Sequence, residues 1–145
     1  MTKKRTSEPW MPADEYGRRM PQFTVNLLVR DIARSVAFYT RVLGAKVRHS
    51  DPDFAALELA GLEFMLHADH TYDQHPLHAR LTPGERGTGA ELRLLGVNPD
   101  EVEARAKANG ATILQPAKDF PHGWRDIMLC DPDGYIWAVG VILPK

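Results

Sequence analysis

The chain carries the same order of predicted elements twice. Alternating apolar and polar residues predict a strand at 23–29, apolar residues at helical spacing follow it over 32–43, and three more strands complete the first half. The order strand, helix, strand, strand, strand returns after residue 90, and glycines at 44 and 110 end the two helices. Similar elements at a near-constant offset indicate an internal duplication. We therefore predict an α+β fold of two tandem βαβββ modules, whose mixed sheets form a concave cup that suits a small molecule.

The predicted boundaries separate an extension from one duplicated domain. Residues 1–22 form the amino-terminal extension and residues 23–143 the domain, with module one at about 23–67, a loop at about 68–89 and module two at about 90–143. The extension is rich in proline and lacks a period of 2 or 3.6, so it is predicted to be irregular. Its apolar stretch Pro9-Trp10-Met11-Pro12 anchors either on a partner subunit or over a pocket, or it packs on its own domain or is disordered.

Composition excludes several classes of protein. The 145 residues hold 18 Lys and Arg against 19 Asp and Glu, and the net charge of -1 argues against nucleic acid and anionic membranes as partners. No apolar run approaches the roughly 20 residues of a membrane helix. The polar start, with Lys3, Lys4 and Arg5, is no secretory signal, so a cytoplasmic protein is expected. The single cysteine, Cys130, excludes a disulfide framework and is read as an inert core thiol.

Four short motifs, in order and at matching offsets, resemble those of a known superfamily. The first module contains Val29-Arg-Asp-Ile-Ala-Arg-Ser-Val-Ala-Phe-Tyr39 and Val42-Leu-Gly-Ala45, and the second contains Gly110-Ala111 and Asp131-Pro-Asp-Gly134. Together they resemble the vicinal oxygen chelate superfamily, which includes glyoxalase I, extradiol dioxygenases and bleomycin resistance proteins. The resemblance covers residues 23–143 and implies the dioxygenase-like fold and a homodimer.

The same resemblance implies four positions for metal ligands, one on each of four strands. In this sequence they are Thr24, Met65, Glu91 and Ala138. Only Glu91 is a competent ligand for a hard divalent ion, so the resemblance favours the metal-free branch of the superfamily, without a cofactor. The alternative is a divalent metal ion held by His67, Glu91 and another histidine of the loop.

The cup-lining positions predict which side chains meet a ligand. Glu91 needs a cationic partner, either in the ligand or at Arg93 or Arg125. Trp124 offers a flat face for a planar or cationic ligand, or it fills the core or a dimer seam. Phe54 is placed to rim a pocket, beside the charged turn at residues 51–53. The candidate ligand-binding residues are Thr24, Asn26, Phe54, Met65, His67, Glu91, Arg93, Trp124 and Asp126.

Three functions are therefore open. The leading one is a homodimeric, metal-free protein of the glyoxalase/bleomycin-resistance type that sequesters a planar or partly cationic small molecule. The second is a metal-dependent lyase or isomerase, or a dioxygenase-like enzyme, that uses His67 and Glu91. The third is an enzyme without a metal, in which Glu91 is the general base beside an electrophilic Arg93 or Arg125.

Overall fold

A computed structural model describes residues 4–145 of the chain; Lys3, part of the polar start noted above, lies outside them. The described residues form three α-helices and eight β-strands, with two short 3-10 turns at Asp69–Tyr72 and His78–Arg80. In chain order the elements are α1 (Ala13–Arg18), β1 (Asn26–Val29), α2 (Ile32–Arg41), β2 (Lys46–Ser50), β3 (Phe54–Leu59), β4 (Leu62–Ala68), β5 (Glu91–Leu95), α3 (Pro99–Ala108), β6 (Thr112–Asp119), β7 (Trp124–Cys130) and β8 (Ile136–Ile142).

The two halves of the chain build sheets of the same topology. The first sheet has the order β1-β4-β3-β2 and the second the order β5-β8-β7-β6. In each sheet the first pair is parallel and the other pairs are antiparallel. The predicted α+β class and the repeated βαβββ order with mixed sheets are confirmed.

The chain divides into two compact units. Unit 1 holds the residues up to Val36 together with Ala45–Leu81, and unit 2 holds Ala37–Gly44 together with Thr82–Lys145. The second half of α2 thus belongs to unit 2, although the repeat in the sequence assigns it to the first module.

The pleat gives each sheet two different faces. In unit 1, β3 pairs Ala55 with Leu66 and Ala56 with Met65, and successive residues of a strand point to opposite faces. In unit 2, α3 packs against β6, β7 and β8 and covers one face. The residues of the opposite face, at alternate positions of β5 and β7, include four of the predicted ligand-binding residues: Glu91, Arg93, Trp124 and Asp126.

Local capping signals were predicted correctly. Asp31 Oδ1 accepts the Arg34 backbone N–H at 3.0 Å, and Asn98 Oδ1 accepts the Asp100 backbone N–H at 2.9 Å. Gly44 has a φ of 77°, a backbone conformation that residues with a Cβ rarely adopt. These features begin and end the helices where the sequence indicates.

Three element predictions were wrong. Residues 13–18 form α1 within the extension that was predicted to be irregular, because Tyr16 is buried against the sheet of unit 1 and this packing stabilises a helix that has little period of its own. Strand β1 begins at Asn26, and Phe23 before it is exposed. Strand β6 continues past residue 114 through Pro116, which an edge strand tolerates.

Within residues 4–145, no helix combines the length and the apolar character that crossing a bilayer requires.

Candidate ligand-binding faces

One face of the sheet in unit 1 carries a row of rings. This face, the ring face, is formed by Asn26, Phe54, Ala56, Met65 and His67. The Phe54 and His67 ring centroids lie 4.9 Å apart, and Tyr72, which follows β4, continues the row at 5.1 Å from His67. The rings of these two pairs are tilted by 53° and 52°, so the row presents both aromatic faces and aromatic edges.

A chain of hydrogen bonds runs along the same face. His67 Nδ1 lies 2.6 Å from Asn26 Oδ1, and Asn26 Nδ2 donates to the Tyr72 hydroxyl at 2.9 Å. His67 and Tyr72 are buried, and Asn26 is half-buried. The face therefore combines apolar rings with polar groups that are held in fixed orientations by one another.

The structure brings together four of the five candidates that the sequence placed in the first module. Asn26 is the strand partner of Met65, and Phe54 is the strand partner of His67. The fifth, Thr24, precedes β1, and its hydroxyl donates to the Pro21 carbonyl at 3.0 Å. The ring face is thus built from three strands that each contribute at alternate positions.

The amino-terminal segment, residues 5–20, lies on the ring face. Tyr16 packs edge-on against Phe54, with ring centroids 5.2 Å apart, and its hydroxyl donates to Glu63 Oε2 at 2.8 Å. Trp10 stacks on His49 at 5.0 Å with an angle of 2° between the rings. Of the alternatives for the Trp10 stretch, packing on its own unit is the one observed.

A buried carboxylate holds the start of this segment. Asp53 is 0% exposed and accepts hydrogen bonds from the backbone N–H and the hydroxyl of both Thr6 and Ser7, at 2.7–3.0 Å. His70 Nε2 lies 2.7 Å from Asp53 Oδ1. Burial by itself raises the pKa of the Asp53 carboxyl. The hydrogen bonds from Thr6, His70 and Ser7 together lower the pKa by more than burial raises it, so the net pKa lies well below the usual range.

A second carboxylate beside it joins the same contact. Asp51 Oδ2 lies 3.1 Å from the Arg5 guanidinium and 2.6 Å from His49 Nε2. Its other oxygen accepts the backbone N–H groups of Asp53 and Phe54. Burial opposes ionisation, but these hydrogen bonds hold the pKa of the Asp51 carboxyl below its ordinary value. The predicted turn at residues 51–53 is therefore an anchoring point for the amino-terminal segment.

In unit 2 the sheet face away from α3 carries an indole and several charges. This face, the indole face, is formed by Glu91, Arg93, Trp124 and Asp126. Glu91 pairs with Arg93 at 2.7 Å, and the Arg93 guanidinium lies over the Trp124 ring at 4.4 Å from its centroid. Of the partners predicted for Glu91, Arg93 is the one found. Glu91 is exposed rather than desolvated, because it lies at the start of an outer strand.

Asp126 is the buried acid of the indole face. Its side chain is 6% exposed, and His122 Nε2 lies 3.6 Å from Asp126 Oδ2. Gly140 is its strand partner on β8, and a Cβ at that position would lie 2.7 Å from the Asp126 Cβ. The missing side chain at Gly140 thus leaves the room that Asp126 occupies.

Arg125, by contrast, points to the face that α3 covers. It forms ion pairs with Asp100 at 2.7 Å and with Asp119 at 3.0 Å. The Arg125 hydrogen bonds lower the pKa of the Asp100 carboxyl. Arg125 and Asp126, which are neighbours on one strand, therefore point to opposite faces, and Arg125 is a structural residue at the helix.

The predicted family can now be compared with known proteins. A family model described as the Glyoxalase/Bleomycin resistance protein/Dioxygenase superfamily matches residues 21–139. The chain belongs to this superfamily. The matched range leaves out nearly all of the amino-terminal segment that lies on the ring face.

Individual proteins are similar to this chain in sequence or in fold. An uncharacterized Mycobacterium bovis protein, Mb0911c, is 30% identical over 127 residues, which cover 83% of this chain and 82% of that protein. A glyoxalase/bleomycin resistance protein/dioxygenase from Nocardioides shares the fold with a TM-score of 0.67 and 23% identity, covering 91% of this chain and 93% of the other. TioX from Micromonospora sp. ML1 has a TM-score of 0.63 and 24% identity, covering 85% and 99%.

The four positions that the superfamily resemblance implies for a metal do not offer a ligand set. Thr24 already donates to a carbonyl, Met65 offers a thioether, Glu91 is paired with Arg93, and Ala138 has no donor atom. Among residues 4–145, no group of three or more His, Cys, Asp or Glu side chains is placed to hold a metal ion. These side chains do not fit a hard divalent ion, and the function proposed below uses none.

Sequence reasoning missed several residues that shape the two faces of this superfamily member. Tyr72 lies in a 3-10 turn after β4, and Tyr16 lies in the helix that was not predicted. Tyr16 and Met20 are four residues apart, a helical spacing, and both contact the Phe54 cluster. This spacing was the only sequence signal for Tyr16. Cys130 was read correctly as a buried thiol, and burial raises its pKa.

Proposed function

We propose that this protein binds a planar, partly cationic small molecule without a metal ion, and that the ring face of unit 1 and the indole face of unit 2 each present groups that suit such a ligand. The observation that carries the proposal is the presence of polar side chains withdrawn from water on both faces: the half-buried Asn26 and the buried His67 in unit 1, and the buried Asp126 in unit 2. Burying a polar group costs free energy unless it has a partner, so folding alone favours apolar residues at such sheet positions. Their presence supports a role in recognition.

The chemistry of the two faces indicates the class of ligand. Phe54, His67 and Tyr72 present flat rings, which favours an aromatic ligand. On the indole face the Trp124 ring already holds the Arg93 guanidinium at 4.4 Å, so this surface accepts a planar cation. Asp126 adds a buried carboxylate, 3.6 Å from a histidine ring nitrogen. A flat aromatic cation matches this set of groups.

Binding of proflavine, a planar aromatic cation, tests the proposal. Fluorescence titration should show saturable binding, and Trp124→Ala and Asp126→Asn should each weaken it at least about tenfold, the range of a cation–π contact and a charge-assisted hydrogen bond. The matched control is Asp119→Asn, which removes an exposed carboxylate paired with Arg125. Equal affinity in all four proteins would contradict the proposal, as would a requirement for a stoichiometric metal ion after purification without a metal-affinity tag.

The contacts of Glu91 bear on the enzymatic alternative that uses no metal. Glu91 is exposed and paired with Arg93 at 2.7 Å, so no observation favours it as a general base. A homodimer stays part of the proposal, and the large apolar side chains exposed in unit 2 at Leu95, Leu114 and Ile142 favour it. Sedimentation velocity of the free protein reports the oligomeric state directly.

A further inference from the structure

The ring face is closed by the chain itself. Phe54 and His67 are 9% and 8% exposed, and Ala56 between their strands is 0% exposed. An open depression of about 290 Å³ lies elsewhere in unit 1, lined by Arg19, Pro21, Arg48, Glu58, Gly61, Leu62 and Glu63, none of them a ring-face residue. A ligand that approaches the rings therefore meets the amino-terminal segment first.

The residues that close the ring face are rings and thioethers. Tyr16 lies on Phe54, and Met11 and Met20 pack against the cluster that Tyr16 forms with Phe54 and Ala56. These are the side chains that a planar apolar ligand would imitate. The amino-terminal segment thus occupies the face in the way that a ligand would.

The attachment of the segment is concentrated at one end. Thr6 and Ser7 bind the Asp53 carboxylate through both of their backbone N–H groups and both hydroxyls, and Arg5 lies 3.1 Å from Asp51. Between this point and Pro21, the Tyr16 hydroxyl donates to Glu63. Helix α1 has only six residues and is marginal without packing. Release of Thr6 and Ser7 therefore removes the main polar attachment and leaves the segment held by the apolar packing of Tyr16, Trp10 and the two methionines.

We infer that the amino-terminal segment is an intramolecular occupant of the ring face, held closed by Asp53, which must leave before a ligand reaches Phe54 and His67. This inference rests on the proposed function, because it concerns access to the same face. The superfamily model begins at residue 21 and so does not include this segment. The apparent affinity for any ring-face ligand is therefore the intrinsic affinity multiplied by the fraction of molecules in which the segment is released.

A reporter thiol measures the release without any ligand. In a Cys130→Ala background, Ala56→Cys places a thiol beneath Tyr16, and Ala55→Cys places one on the opposite face of the same strand. Both alanines are 0% exposed, so they form a matched pair. The rate of alkylation by a water-soluble maleimide, followed by mass spectrometry, reports opening of each face.

The double variant Thr6→Val with Ser7→Ala removes two hydroxyl donors to Asp53. We call it the latch variant, because it weakens the contact that holds the amino-terminal segment closed. We expect alkylation of the Ala56→Cys thiol to accelerate at least about tenfold, the factor expected from two hydrogen bonds to a charged group, with a change below about twofold for Ala55→Cys. Equal acceleration at both thiols would mean general unfolding and would overturn the inference. So would an unchanged rate at Ala56→Cys, or rapid alkylation before the latch is altered.

Proflavine titration of the same proteins separates this inference from the proposed function. If both hold, proflavine binds the latch variant more tightly than the parent by about the factor seen in the thiol rates. If proflavine binds neither protein, the proposed function fails while the thiol rates still decide whether the segment opens. If it binds both with equal affinity and the thiol rates do not change, the inference alone is overturned.

Discussion

At the scale of single residues, Asp53 shows how a fully buried carboxylate stays ionised. Water is excluded from it, and its hydrogen bonds come from Thr6, Ser7 and His70. These donors stabilise the charged form more than burial opposes it, so the pKa of the folded carboxyl is lowered. A lowered folded pKa contributes stability above the ordinary pKa of the unfolded residue, and the contribution is lost as the pH falls toward the folded pKa.

Asp53→Asn is therefore expected to change the pH dependence of stability. At pH 6 the variant should lose about 2 kcal/mol of unfolding free energy, because the Thr6 and Ser7 donors then face a neutral amide. Between about pH 5 and pH 3 its stability should fall less steeply than that of the parent, since the linked proton uptake is gone. Urea unfolding at several pH values measures this, with Asp73→Asn, an exposed carboxylate, as the control. Parallel curves for parent and variant would contradict the assignment.

At the scale of elements, turn residues in the sequence mark some boundaries and leave others unmarked. Strand β7 has bounds that the sequence marks clearly, because Gly123 precedes it and the turn at residues 131–134 follows it. Helix α1 was missed because six residues are too few to show a helical period, and its stability comes from the burial of Tyr16. The full extent of β6 could not be predicted, because a proline such as Pro116 argues against a strand at its position in the sequence.

The candidate site was predictable only in part, because contacts between distant parts of the chain leave no local pattern in the sequence. Strand alternation places Asn26, Met65 and His67 on one face, and this could be read from the sequence. The contact of Asp53 with Thr6 and Ser7 joins residues 46 and 47 positions apart, without any local pattern. Whether a face is open or covered depends on such distant contacts, so the covering of the ring face could not be read from strand periodicity.

Gly17→Ala tests the role of α1 from the opposite direction. A Cβ at Gly17 meets nothing within 4 Å, and alanine favours a helix by about 0.5–1 kcal/mol over glycine. The substitution should hold the amino-terminal segment closed and slow alkylation of the Ala56→Cys thiol about two- to fivefold. Gly84→Ala, also without a neighbour within 4 Å, is the control and should leave that rate unchanged. Faster alkylation in Gly17→Ala would show that α1 does not contribute to closure.

At the scale of the whole molecule, the repeat in the sequence and the compact units do not coincide. Tyr39 lies in the first repeat, but its hydroxyl donates to Asp131 Oδ2 at 2.6 Å and accepts the Trp137 indole N–H at 3.2 Å, all within unit 2. Burial raises the pKa of the Asp131 carboxyl, and the Tyr39 hydrogen bond partly opposes this. The second half of α2 is therefore an integral part of the core of unit 2.

Tyr39→Phe should destabilise the fold by about 1–3 kcal/mol at pH 7, because it leaves a buried carboxylate without its hydroxyl donor. The pKa of Asp131 should rise further, so protonation relieves the loss as the pH falls toward 4. Thermal unfolding of Tyr39→Phe, Asp131→Asn and the double variant gives the coupling between the two groups. Additive losses in this cycle would show that the hydroxyl and the carboxylate do not interact.

Because the amino-terminal segment occupies the ring face, its inferred release limits which ligands can bind there. Any guest there has to compensate for the contacts that Tyr16, Trp10 and Asp53 give up when the segment departs. We expect small, weakly held fragments to fall below that threshold and an extended polycyclic compound that spans several rings to exceed it. The inferred release step would thus select ligands by size, through a segment that lies outside the range matched by the superfamily model.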